Sequence, residues 1–449
     1  MKAIKKGWLF LFLSIILIFA AGCSHHAGKP VSSGDDSEQG TVANQDSSGT
    51  NKDDGKTSVT DSDSKNDTDQ STGTSNSSDK GSDDQSSGTA DSSRGASDDQ
   101  SSSGSSDAPD KNVSMEKITS VRMIDADSGW IGGDGWIARS DNNGKNWSIQ
   151  YEGEQTAQQI FALNGKQAWV VFADEQDSPT QKRILKTDDG GKHWMTVGRM
   201  PQDGFLHFRS TNDAFVGNAH SEDGGKTWVK LNVPSNIIGE PYFHDAKNGW
   251  AVTLKDKQIQ VMNTTDGGNS WNPVFSKKFM YGLNGAIIRS AGAQDAWVEL
   301  IGGTGMTQTS YSFFHTKNGG ATWLPVVAKS TAGGGPAPGV PEKHPNIPDN
   351  KGSKPGPLYV VNTETAFLGG TCPACDQPNT MGWTNDGGKS WHTSDAAFSG
   401  FNEPLLAMAD DHHGWWITND NENSSVLYTT KNGGTDWEEV HTFEKTSDN

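Results

Sequence analysis

Several side-chain groups in this chain have the types and spacing for chemistry. Cys372 and Cys375 form a CxxC pair. A redox pair of this kind needs its first thiolate at a helix N-terminus, whereas this segment reads as a loop between strands. A zinc site would need two further ligands, and no second CxxC supplies them. The pair is expected to be a disulfide, the usual state in an exported protein. The run Asp410-Asp411-His412-His413 offers ligand types, but neighbours in an extended turn point in different directions, so a solvated turn is expected. Asp125 and Asp127 resemble half of a calcium loop that lacks its remaining ligands and glycine. No metal or cofactor is expected. Asp174, Glu175, Asp177, Glu299 and Asp376 are the loop-face candidates for the carboxylate pair of a glycoside hydrolase. Arg122, His207, Tyr242, Arg289 and Tyr359 stand at one recurring register, eight residues before an aromatic, and are candidate ligand contacts. Phe161 and Ala407 complete the series. None of these groups assembles a nucleophile, a base and an orienting partner, so no catalytic residue is assigned.

The elements that position these residues follow from a repeat. Seven segments, 140–147, 187–194, 221–228, 264–271, 316–323, 384–391 and 430–437, share one pattern: hydroxyl, any, Asp or Asn, any, Gly, any, any, Trp. Their spacing of 34 to 68 residues is that of a solenoid or propeller unit. Ahead of each octapeptide lie a short apolar run, a polar turn, and a second apolar run that opens on Trp130, Trp169, Phe215, Trp250, Trp297, Phe367 or Trp415. Short alternating segments split by Gly/Asn/Asp turns predict four antiparallel strands per unit, with the octapeptide as the turn between strands three and four. Twelve of the 16 Trp occupy one of these two repeat positions, which assigns them to packing. Seven such units predict an all-β, seven-bladed β-propeller over 115–444. The turns 1–2 and 3–4 would share one face. The irregular sequence at 173–182, 302–310, 328–357, 369–380 and 419–425 would share the other, where binding is expected. Substitutions in 328–357 and 369–380 are expected to affect binding while sparing stability.

The octapeptide resembles the Asp-box (BNR) repeat of sialidases, sortilin-type receptors and some glycoside hydrolases. The longer unit, Gly-Trp followed by a strand and Thr-x-Asp-Gly-Gly-x-x-Trp, is most similar to the photosystem II stability and assembly factor family, over about 117–444. The resemblance implies a seven-bladed propeller, structural Asp boxes and a role in binding partners. Six-bladed sialidases grip their substrate with three Arg, one opening an Arg-Ile-Pro tripeptide. Arg183-Ile184-Leu185 is the nearest sequence here, so that activity is not implied.

Residues 1–22 read as a lipoprotein signal peptide: Lys2, Lys5 and Lys6, then an apolar run ending Ala20-Ala21-Gly22-Cys23, with Cys23 the expected lipidation site. The tether at 23–114 is almost wholly small and polar and cannot bury enough apolar surface to order itself. It carries eighteen acidic against seven basic residues, so it repels itself, and about 90 flexible residues span roughly 50 Å. The remainder carries 38 acidic and 27 basic residues with no basic stripe, which excludes nucleic acid as a partner. The expectation is a monomer anchored by lipid on the extracytoplasmic face of the cell membrane. It would be a binding or assembly module for an envelope protein or a cell-surface glycan, with a glycan-directed hydrolase as the alternative.

Overall fold

The computed structural model describes residues 113–173, 182–375, 379–420 and 423–445. The signal peptide, Cys23, nearly all of the tether, and Asp174, Glu175, Asp177 and Asp376 lie outside them. The described residues contain 26 strands and no helix. The first sheet holds Ile118–Met123 (β1), Gly129–Ser140 (β2), Ser148–Ala162 (β3), Ala168–Ala173 (β4), Arg183–Thr187 (β5) and Met195–Arg199 (β6). The second holds Leu206–Phe208 (β7), Ala214–Val216 (β8), Ala219–Ser221 (β9) and Val229–Lys230 (β10); the third Ile237–Phe243 (β11), Gly249–Lys255 (β12), Gln258–Thr264 (β13) and Asn272–Lys278 (β14). The fourth comprises Gly285–Arg289 (β15), Ala296–Thr304 (β16), Thr309–Thr316 (β17) and Leu324–Lys329 (β18). The fifth comprises Lys354–Val360 (β19), Ala366–Thr371 (β20), Asn379–Thr384 (β21) and His392–Thr393 (β22). Leu405–Met408 (β23), Gly414–Ile417 (β24), Ser425–Thr430 (β25) and Glu438–Phe443 (β26) form the sixth. Every pairing is antiparallel between consecutive strands.

The fold is an all-β propeller, with one correction: there are six sheets, where seven blades were expected. The reason lies in β3. It runs for 15 residues, pairing with β2 through Ser148 to Glu152 and with β4 through Thr156 to Ala162. Beyond an irregularity in register, Thr156 pairs with both Asp134 and Ala173, so β3 bridges the first two repeats and they form one six-stranded sheet.

All seven repeats keep one local geometry despite this fusion. The first-position hydroxyl of each octapeptide accepts the N–H of the fifth-position glycine at 2.8–3.0 Å. It donates to the third-position Asp or Asn at 2.8–3.1 Å. That side chain in turn accepts the seventh-position N–H at 2.9–3.0 Å. The fourth residue has positive φ in every copy, an Asn in the first and a Gly in the rest. Its N–H then reaches a carbonyl in the turn between strands one and two of the same repeat, as in Gly267 to Lys247 at 2.9 Å. In the third copy the Thr227 hydroxyl and amide hold the Asp223 carboxyl at about 2.

The strand-two aromatics Trp130, Trp169, Trp250, Trp297, Trp415, Phe215 and Phe367 are completely buried between sheets. The last sheet packs on the first: Trp147 meets Trp415 edge-on at 5.4 Å and Phe443 at 5.9 Å, and Trp415 donates to Asn143 at 2.8 Å.

The irregular segments also differ from expectation. Residues 328–329 and 354–357 belong to β18 and β19, and 369–371 and 379–380 to β20 and β21. Between β18 and β19, Ala337 is buried, Ser312 donates to the Pro338 carbonyl at 2.6 Å, and the buried Asn350 amide reaches the Leu368 and Gly369 carbonyls. Substitutions at these buried positions therefore act on stability as well.

Thr264→Val, which keeps the shape and removes the hydroxyl, leaves the buried Gly268 amide without its acceptor and should cost about 1–3 kcal/mol in denaturant unfolding. Asp266→Asn should be close to neutral, because Asn fills the same role in Asn142, Asn318 and Asn432.

Candidate functional site

The innermost strand of each repeat carries the seven register positions, and the structure pairs each with its aromatic: Arg122 with Trp130, Phe161 with Trp169, His207 with Phe215, Tyr242 with Trp250, Arg289 with Trp297, Tyr359 with Phe367 and Ala407 with Trp415. One register repeated around the ring brings distant residues to a common wall. A cavity of about 720 Å³ is lined by Arg122, Phe161, His207, Tyr242, Arg289 and Tyr359. Ala407 is buried behind it, and Leu405 and Leu406 of the same strand take its place on the wall.

Aromatic rings hold the two guanidinium groups. Arg122 lies 4.7 Å over the Phe161 ring. It donates through Nη1 to the Tyr359 hydroxyl at 2.9 Å and through Nη2 to the Ala162 carbonyl at 3.4 Å; its buried Nε has no partner. Arg289 lies 3.9 Å over Phe205 and donates to the Ile288 carbonyl at 2.8 Å. Among the described residues, neither guanidinium has a carboxylate at ion-pair distance. Desolvation in the wall lowers the Arg289 guanidinium from its ordinary value. Cations held over rings and stripped of counter-ions are poised for an incoming anion.

His207 stacks on Tyr242 at 4.6 Å and 5°. Its Nε2 faces the Phe243 carbonyl at 3.0 Å, which assigns the proton there and leaves the unpartnered Nδ1 as an acceptor. Burial pushes this imidazole down to about 4, so it is neutral at physiological pH. The Tyr242 hydroxyl donates to the Ser290 carbonyl at 3.4 Å, and burial raises the phenol. Phe205 escaped the sequence reading because it stands two residues before its register position. That spacing places it on the same face of the strand, and this was the available signal.

The carboxylates are arranged differently from the sequence expectation. Glu299 does not reach the loop face. It sits within β16, fully buried, opposite Ile287 and Phe313, and neither of its oxygens has a hydrogen-bond partner. Among the described residues, Glu403 alone brings a carboxylate to the cavity wall. Glycoside hydrolysis calls for two.

The turn carboxylates are engaged locally. Asp125 accepts the amides of Asp127 and Ser128, and Asp410 those of His412 and His413. Asp410, Asp411 and His412 lie close together but are exposed, and His412 pairs with Asp411 at 2.6 Å. Cys372 and Cys375 are joined, with Cα atoms 5.4 Å apart, in the connection that follows β20. Alkylation with iodoacetamide before reduction should label neither cysteine. Reduction should cost at most about 2 kcal/mol, because the loop it opens is short.

No family model matches the chain. Over 102 residues the sequence is 30% identical to the photosystem II assembly lipoprotein Ycf48 of Synechococcus sp. (strain CC9902), a match covering 20% of this chain and 31% of that protein. The chain thus spans about a third of the length of this curated relative. Among solved structures, YCF48 bound to D1 peptide aligns with 71% of this chain and 90% of its own at 14% identity and a TM-score of 0.39. The GH74 xyloglucanase from Xanthomonas campestris aligns with 71% of this chain and 52% of its own at 12% identity and a TM-score of 0.44. Neither structural likeness bears on the activity of this chain. The protein is an all-β propeller whose sequence is similar, over that segment, to a photosystem II assembly lipoprotein.

Proposed function

We propose that this protein is a non-catalytic binding and assembly module, held by lipidated Cys23 on the extracytoplasmic face of the cell membrane. Its central cavity takes a carboxylate-bearing segment of a partner protein in the envelope. The observation that carries this reading is the pair Arg122 and Arg289, two half-buried guanidiniums seated on Phe161 and Phe205 with no carboxylate at ion-pair distance among the described residues. Withdrawing a cation from water is costly unless an anion compensates it. The whole chain has a net charge of −19, yet among the described residues Glu403 is the one acid on the wall. An acidic segment with aromatic side chains matches both the guanidiniums and the rings between them. The name of the sequence relative, an assembly lipoprotein, supports the same reading and the anchor. Glycan hydrolysis is less favoured because, among the described residues, Glu403 is the single carboxylate on the wall.

A blocked tetrapeptide of alternating aspartate and phenylalanine should bind the full-length protein in detergent. Arg122→Gln and Arg289→Gln should each weaken binding about tenfold or more, the worth of one charge-assisted hydrogen bond. Equal affinity in the double variant and the wild type, measured by calorimetry, rules out the cavity as the site. Release of reducing ends from a glycan panel that disappears in Glu403→Gln rules out the non-catalytic reading. Cys23→Ser should move the protein from the membrane fraction to the soluble one.

A further inference from the structure

Glu299 has no place in the binding reading so far, and its surroundings are unusual. It is wholly buried in the second strand of the fourth sheet, with both carboxyl oxygens unpartnered. Arg289 pairs with Trp297 and Ile287 pairs with Glu299. Arg289 and Glu299 therefore lie on one face of the sheet, a single diagonal step apart, a separation of about 7–8 Å that long side chains bridge.

We propose that Glu299 sets the charge that Arg289 presents to the cavity. In its neutral form it leaves the guanidinium uncompensated and open to an anion. In its ionised form it becomes the counter-ion of Arg289 and competes with the ligand. This role rests on the reading of the cavity as a carboxylate site, and it makes Glu299 a positioning residue that acts through Arg289.

The charged and titratable groups acting on this pair come from several elements. Arg289 on β15 favours the ionised carboxylate, and Glu403 ahead of β23 opposes it. Tyr311 on β17 senses Glu299 in turn, and its phenol is raised by burial. Arg289 is also faced by Tyr242 and Glu240. Burial pushes the Glu299 carboxyl up to about 8, with Arg289 pulling against it. The His207 and His244 imidazoles of the cavity are lowered by burial and the Tyr242 phenol is raised, so none of these masks a transition near 8.

The test measures binding of the blocked aspartate–phenylalanine tetrapeptide to the full-length protein in detergent between pH 6.5 and 9.5. Wild-type Kd should rise about tenfold across this window, an effect of roughly one pKa unit of coupling. Glu299→Gln, and Glu299→Leu as a second variant, should bind at all these pH values with the low-pH wild-type affinity. Thermal stability gives an independent readout. The folded carboxyl titrates above its unfolded value, so its contribution is intact below about pH 4 and lost as pH rises toward 8. Wild type should therefore lose stability relative to both variants over that range and run parallel to them above it. A pH profile of binding that survives in both variants overturns the inference and leaves the cavity reading standing. Absence of tetrapeptide binding at every pH, in a protein with that stability slope, overturns the cavity reading and takes this inference with it.

Discussion

The hydroxyl at the first position of each octapeptide is the point on which the architecture turns. It accepts the fifth-position amide and donates to the third-position side chain, which closes the turn between strands three and four into a rigid knot. The fourth-position amide then ties that knot to the turn between strands one and two. Two turns on one face are thus locked to each other inside every repeat. With these two turns fixed to each other, the first strand is held against slipping along the second, since a one-residue slip would turn its whole apolar set to the wrong side. The register that results is the same seven times. It is what delivers six of the seven residues that stand eight positions before an aromatic to the cavity wall, Ala407 being buried behind it.

Contacts between repeats use the same face. Arg139 stacks over Trp130 at 4.6 Å and reaches the Gly165 carbonyl in the next repeat. His315 stacks on Trp297 at 3.5 Å, with one ring nitrogen at the Asp295 carboxylate and the other at the Gly387 carbonyl of the following octapeptide. Through these two contacts the imidazole bridges two sheets. Lys186 over Trp169 and His220 over Phe215 repeat the theme. A cation or imidazole thus covers a buried aromatic near the turn face, while the opposite end of each inner strand is left free to vary.

That division explains how an acidic protein can hold a basic cavity. The octapeptide carboxylates are occupied with backbone amides and hydroxyls on the turn face, and most other acids among the described residues are exposed. The inner strands are chosen for ring and cation, as Arg122, Phe161, Tyr242, Arg289 and Tyr359 show. Glu299 departs from this pattern, since a carboxyl is placed where the sheet offers it no hydrogen bond. Local departures from consistency of this kind tend to mark function rather than folding.

Much of this was legible in the chain before any coordinates. The octapeptides, the strand-two aromatics and the spacing of eight residues are local patterns, and local hydrogen bonding and pleat alternation translate them into turns, strands and register with little outside help. For the same reason Arg122, His207, Tyr242, Arg289 and Tyr359 could be grouped from sequence. Other features required the folded molecule, because they depend on what distant segments do to one another. The pairing of Thr156 with Asp134, which fuses two repeats into one sheet, is a cross-strand contact without a local signature. The burial of Glu299 follows from sheets packing on both sides of a residue that spacing alone placed on a loop face. The segment between β18 and β19 reads as free loop by composition, yet Ala337 and Asn350 are buried by sheets that the sequence could not bring to them. Periodicity determined the strands and their register in this protein; the contacts between sheets decided which charges were buried and which were left on the cavity wall.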